Sequence, residues 1–178
     1  LGASDGEYGQ NNVFIGKEAG FSNQNGPSNI FIGTEAGYSN IGSTSSDGGY
    51  NVFLGYRSGK NNISGAKNVY IGVEAGELNE TGSSNVYVGD RAGETGSGGG
   101  NTYIGKSSGY RANGDGNAFF GSFAGSGDSD GTHDVNNNTF IGNSAGKNLR
   151  TGLQNVIIGK DAGYYIDSAN YNVIIGSG

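Results

Sequence analysis

The acidic residues of one loop are the clearest candidates for chemistry in this sequence. Asp128, Asp130 and Asp134 lie within seven residues, around Gly131. Ca²⁺ takes six to eight oxygen ligands, and carboxylates spaced around a glycine turn can converge on one ion. The loop lacks the distal Glu and the third acidic position of a complete EF-hand loop. We therefore predict a weak calcium site at Asp128, Asp130 and Asp134, and the alternative is a solvated acidic loop without an ion.

No other chemistry stands out from the background. His133 is the only histidine and there is no cysteine, so a thiolate nucleophile is excluded and zinc at His133 would have a poor set of ligands. Arg57, Glu74 and Arg91 recur at one phase of the chain, which favours surface ion pairs on neighbouring turns over a catalytic pair of carboxylates. We predict no enzyme, no catalytic residue and no cofactor apart from the calcium.

The composition is unusual for a folded domain. Gly, Asn and Ser make up 81 of the 178 residues, and Leu, Ile, Val and Phe total only 35, close to the level at which chains stay disordered. The 19 aromatic residues and the net charge of only -6 argue for folding instead. The acidic balance argues against nucleic acid as a partner, and no apolar run is long enough to insert into a membrane.

A repeated block accounts for the composition. The sequence Asn-apolar-aromatic-apolar-Gly occurs ten times at intervals of 16 to 22 residues, with Thr at the first apolar position in two copies and Ile in place of the aromatic residue in the last two. Of the 35 Leu, Ile, Val and Phe residues, 24 follow these Asn residues within three positions. The blocks begin at Asn12, Asn29, Asn51, Asn68, Asn85, Asn101, Asn117, Asn138, Asn155 and Asn172.

The block predicts an all-β fold, a parallel β-solenoid or β-roll of about ten repeats of 16–22 residues with two short strands per turn. Residues 1–178 form a single domain, in which 1–11 are the N-terminal edge. Each Asn is expected to join a ladder of side-chain amides along the stack. The paired glycines mark the corners, and the small Ala or Ser before the second glycine fits a thin interior.

The strand residues divide between two faces, since side chains alternate along a strand. We expect the first and third residues after each Asn, such as Val52 and Leu54, to face the interior. The middle residues then form an exposed row that needs a cover, and we predict self-association through it. Cover by the chain's own loops and a platform for stacking carbohydrate are the alternatives. The predicted interface is Phe14, Phe31, Phe53, Tyr70, Tyr87, Tyr103, Phe119, Phe140, Ile157 and Ile174.

Two repeats are longer than the others. Their extra residues fall between Ser39 and Tyr50 and between Ser126 and Asn137, in segments rich in Gly and polar residues. We expect both to be surface loops that contact a ligand.

The repeat Asn-x-x-[Ile/Val]-Gly-x-x-[Ala/Ser]-Gly resembles the head repeats of trimeric autotransporter adhesins of the YadA-like type, and also repeats in phage tail fibres, over residues 12–178. The resemblance implies a left-handed β-roll, a homotrimer and a role in attachment at a cell surface or on a phage particle. Two features depart from that family: the repeat is longer, and Phe or Tyr occupies positions where small residues are typical. The expected function is an extracellular attachment module that binds a surface glycan or protein through its loops, and the alternative is a structural spacer or filament subunit.

Overall fold

The computed structural model describes residues 9–42, 47–127 and 133–178. All regular elements within these ranges are short strands. In chain order they are β1 (Val13–Ile15), β2 (Ile30–Ile32), β3 (Val52–Leu54), β4 (Val69–Ile71), β5 (Val86–Val88), β6 (Thr102–Ile104), β7 (Ala112–Asn113), β8 (Ala118–Phe120), β9 (His133–Asn136), β10 (Thr139–Ile141), β11 (Thr151–Leu153), β12 (Val156–Ile158), β13 (Ser168–Asn170) and β14 (Val173–Ile175).

The strands of the repeated block form one parallel sheet, in the order β1-β2-β3-β4-β5-β6-β8-β10-β12-β14. The register joins equivalent residues of successive repeats, so that Phe53 lies beside Tyr70 and Tyr70 beside Tyr87. The chain is thus a parallel β-solenoid of about nine turns, as the sequence predicted.

Within the described residues, a second strand per turn forms in the later repeats, where β7, β9, β11 and β13 make a four-stranded parallel sheet. In the first four turns the equivalent segment begins at an asparagine whose side chain bonds back to that segment, and in the fifth turn it begins at Gly96. Asn62 Nδ2, for example, donates to the carbonyl of Gly65 at 2.9 Å. Ala112 and Leu149 occupy that position later, and the backbone then continues into a regular strand.

The two faces of the repeated strands are the reverse of those we predicted. The middle residues point into the coil, and Phe31, Phe53, Tyr70, Tyr87, Tyr103, Phe119, Phe140 and Ile157 have no exposed surface within the single chain. Stacked ring centroids from Phe14 to Phe140 are 4.5 to 5.0 Å apart. Phe14 and Ile174, in the first and last of these strands, are partly buried against the same core. The predicted interface and the alternative of a carbohydrate platform on this row are therefore both wrong.

The space for the rings comes from the second glycine of each repeat. A Cβ atom at Gly76 would lie 2.5 Å from the Tyr70 ring, and one at Gly93 would lie 2.5 Å from the Tyr87 ring. Ala75 and Ala92 beside these glycines are fully buried, which confirms the predicted small-residue interior. The rings stack because their separation matches the ~4.8 Å spacing of the strands that carry them.

The asparagine ladder is present as predicted. The Asn68 side-chain carbonyl accepts a hydrogen bond of 2.9 Å from the backbone N–H of Asn85, one turn later. Its Nδ2 donates across the coil to the carbonyl of Gly82 at 2.8 Å. The same bond to the next turn's backbone recurs from Asn12 to Asn172, at 2.7 to 3.0 Å. Each amide thereby ties two turns together and also bridges two sides of one turn.

Candidate functional site

The predicted calcium loop lies largely outside the described residues, since Asp128 and Asp130 fall in the 128–132 gap. Asp134 is exposed on β9, and its backbone N–H donates to the carbonyl of Arg150 at 2.8 Å. His133, one residue earlier, is fully buried, with Nδ1 3.1 Å from the carbonyl of Leu149. Asp134 and His133 therefore point to opposite faces of one strand, and their side chains cannot meet at one ion.

The two long repeats are described only in part, because residues 43–46 and 128–132 lie outside the described ranges. On the described side of the first, Tyr50 has 53% of its surface exposed. Its backbone has a φ of 60°, which directs the chain back toward β3.

The charged corner residues form ion pairs between turns. In the first nine repeats the second residue after the strand glycine adopts a left-handed backbone conformation, with φ between 51° and 59°, although none of these nine residues is glycine. Arg57 at this corner pairs with Glu35 one turn earlier at 3.1 Å and with Glu77 at 3.9 Å. Lys60 approaches Glu35 to 2.7 Å, and this hydrogen bond is the main cause that lowers the pKa of Glu35.

Three carboxylates converge beside the charged corner residues. Ligand oxygens of Glu74, Glu77 and Glu94 lie within 4.8 Å of one another. Burial, and then the neighbouring Glu74 charge, raise the pKa of Glu77. Arg91 forms a two-pronged pair with Glu94, lies 3.6 Å from Glu74 and donates to the hydroxyl of Tyr110 at 3.0 Å. Because guanidinium groups already compensate these carboxylates, the cluster is a partly buried ion-pair network.

The most extensive uniform surface is the outer side of the ten-stranded sheet, which we call the apolar outer face. It consists of the first and third residues of each repeated strand, eighteen of them apolar and two of them Thr, with no charge. Ile71, Ile104 and Ile141 near its middle are 37%, 39% and 41% exposed. The face comprises Val13, Ile15, Ile30, Ile32, Val52, Leu54, Val69, Ile71, Val86, Val88, Thr102, Ile104, Ala118, Phe120, Thr139, Ile141, Val156, Ile158, Val173 and Ile175.

The comparisons with known proteins add no identity to this geometry. No family model matches the sequence, and neither a curated protein nor a solved structure matches it. Within residues 9–42, 47–127 and 133–178 there is also no helix that is long and apolar enough to cross a membrane.

Sequence reasoning assigned the apolar outer face to the interior, although the repeats contain a signal for its true position. The middle residue of the block is always large, whereas the first residue varies from Ile30 to Thr102 and Ala118. A closely packed core does not tolerate such changes in volume without cost. The variation in size therefore favours an outer position for the first residue, although alternation along the strand does not by itself decide it.

Proposed function

We propose that the chain is an attachment module of an extracellular fibre, as a head or shaft segment on a cell surface or a phage particle. The observation that supports this function is the repeated architecture itself. Each turn packs against the turn before and the turn after, so the molecule extends in one direction as repeats are added. The resemblance of the repeat to adhesin head repeats points the same way.

The internal stacks suit such a role mechanically. The aromatic rings and the asparagine amides both run along the length of the solenoid, so bending it would separate buried rings and buried hydrogen bonds together. A rod of this kind holds a binding loop away from the surface that carries it. We place ligand contacts, with a glycan or a protein, at the two long repeats.

A structural spacer is the second candidate, and the regularity of the outer surface favours it. The ten strands of the larger sheet, from β1 to β14, present nearly the same side chains at every turn. A spacer needs only length and stiffness, whereas an attachment module needs at least one surface that differs from the repeat.

Binding to whole cells and to a glycan array distinguishes the two candidates. The chain is compared with a variant in which both long repeats are shortened to 17 residues by deletion between Ser39 and Tyr50 and between Ser126 and Asn137. Binding by the chain that the shortened variant loses supports attachment through the loops. Absence of binding by both proteins, with both folded by circular dichroism, overturns the attachment function and favours the spacer.

A further inference from the structure

The apolar outer face is too large to lie open to water in a soluble protein. Full burial of an aliphatic side chain is worth ~1.5–3 kcal/mol at ~25 cal/mol per Å², which corresponds to ~60–120 Å² of apolar surface for each. Ten of these twenty side chains are 37% exposed or more, as Ile104 is at 39%, and the other ten are less exposed, so together they present on the order of 400–800 Å². Soluble monomers rarely expose continuous apolar patches of more than a few hundred Å².

The upper end of that range reaches what a stable protein interface buries on one partner. Such interfaces cover about 800 Å² on each partner, with an apolar centre and a polar rim. The rim is present here, because polar or charged residues such as Lys67, Asp90 and Lys106 flank the strands at both ends. The centre carries no charge, so another apolar surface can cover it without burying an unpaired ion.

The periodicity of the face identifies its occupant. Its side chains recur once per turn at the ~4.8 Å strand spacing, over ten strands and ~45 Å. A partner whose side chains interlock along this whole length needs a flat surface with the same period. The corresponding face of another copy has that period and length, and two such sheets can pack ~10 Å apart as in a β-sandwich.

We propose that the apolar outer face binds a second copy of this chain, face to face. Each copy has one such face, and the same face of a second copy can cover it over its whole length, so the assembly is a symmetric pair. This pairing goes beyond the attachment function and does not depend on it. Light scattering measures the pairing and the binding assays measure the attachment, so failure of one is distinguishable from failure of the other.

Light scattering coupled to size-exclusion chromatography tests the pairing. The key variant is Ile71→Asp, which places a charge on the middle of the face. The matched control is Ile63→Asp, since Ile63 is 41% exposed, close to the 37% of Ile71, and lies outside the face. We expect twice the 18.1 kDa chain mass for the unchanged chain and for Ile63→Asp, and a single chain for Ile71→Asp.

Circular dichroism and urea unfolding confirm that each variant is folded. Ile71→Thr keeps the β-branched shape and is the second variant if Ile71→Asp does not fold; it is expected to dissociate at a higher concentration than the unchanged chain. A single-chain mass for the unchanged protein over the whole concentration range overturns the proposal, as does a pair that persists in folded Ile71→Asp. A mass of three chains overturns face-to-face pairing and supports instead the trimer that the repeat resemblance implies.

Discussion

The reversal of the two strand faces makes a quantitative prediction at Phe53 and its neighbour Leu54. Phe53 is fully buried, with ring centroids of Phe31 and Tyr70 at 4.8 Å and 4.9 Å. Leu54 is half-buried on the apolar outer face. Truncating Phe53 leaves a cavity between two rings and interrupts the stack, whereas truncating Leu54 removes atoms that already contact water in the single chain.

We expect Phe53→Ala to lower the free energy of unfolding by about 4 kcal/mol, from the ~3–5 kcal/mol typical of buried Phe truncations. Loss of aromatic pairing, at ~0.5–1.5 kcal/mol for each contact, favours the upper part of that range. Leu54→Ala is expected to cost about 1 kcal/mol, since roughly half of the ~1.5–3 kcal/mol for full burial is at stake. The two variants differ by one position in the same strand, so strand propensity contributes little to the difference.

Urea unfolding followed by near-ultraviolet circular dichroism measures both effects, at a protein concentration low enough to exclude pairing. With a denaturant slope of ~2–3 kcal/mol per M, the Phe53→Ala midpoint should fall by about 1.5 M. The signal from stacked rings should decrease in the same variant. Equal losses for the two variants, or a larger loss for Leu54→Ala, would refute an aromatic interior.

Three further predictions concern the interior and the acidic loop. Burial raises the pKa of the stack's buried tyrosines well above their usual value. Above about pH 10 only the unfolded chain ionises them, so the free energy of unfolding should fall by ~1.4 kcal/mol per tyrosine at about pH 11, and the urea midpoint should fall with it. An unchanged midpoint contradicts this. Asn68→Ala leaves the Asn85 N–H and the Gly82 carbonyl without their ladder partner. We expect the free energy of unfolding, measured with urea, to fall by ~2–4 kcal/mol. The control Asn143→Ala, at an exposed position, should lower it by less than ~0.5 kcal/mol. Calorimetry should show Ca²⁺ binding with a Kd on the order of 10⁻⁴ to 10⁻³ M, and Asp130→Ala should abolish it. If several times that concentration of Ca²⁺ gives no heat of binding, the loop is solvated and holds no ion.

The ladder and the corners were predictable because their residues recur at one phase of the repeat. Asn68 and Asn85 are 17 residues apart, and any coil that stacks equal turns brings them together. The small interior position of Ala75 follows equally from its recurrence beside a glycine. The row of Asn23, Asn40, Asn62 and Asn79 was missed, although Asn40 Nδ2 donates to Asn23 Oδ1 at 2.6 Å and Asn62 Nδ2 to Asn40 Oδ1 at 2.6 Å. Its period is the same, but it ends after four repeats and was less visible.

The sequence predicted that the charged corner residues form ion pairs between turns, but it predicted the partner of each residue less well. Arg91 pairs with Glu74 across one turn, as the alternation of charge indicated. Arg57 instead pairs with Glu35 and Glu77. The backbone conformation is nearly the same at the two corners, with φ of 54° at Arg57 and 56° at Arg91, so it does not distinguish the partners, and side chains of this length reach charged groups on either neighbouring turn.

The sequence by itself determined that this chain coils, how long each turn is, and which residues stack along it, because repetition at a constant phase leaves stacking as the way to bury so few apolar residues. Only the tertiary structure decided which face of the strand points inward. Alternation separates Phe53 from Val52 and Leu54 but gives neither face a label. The label comes from the other side of the coil, where Gly59 leaves the space that the Phe53 ring fills: a Cβ there would lie 2.5 Å from the ring.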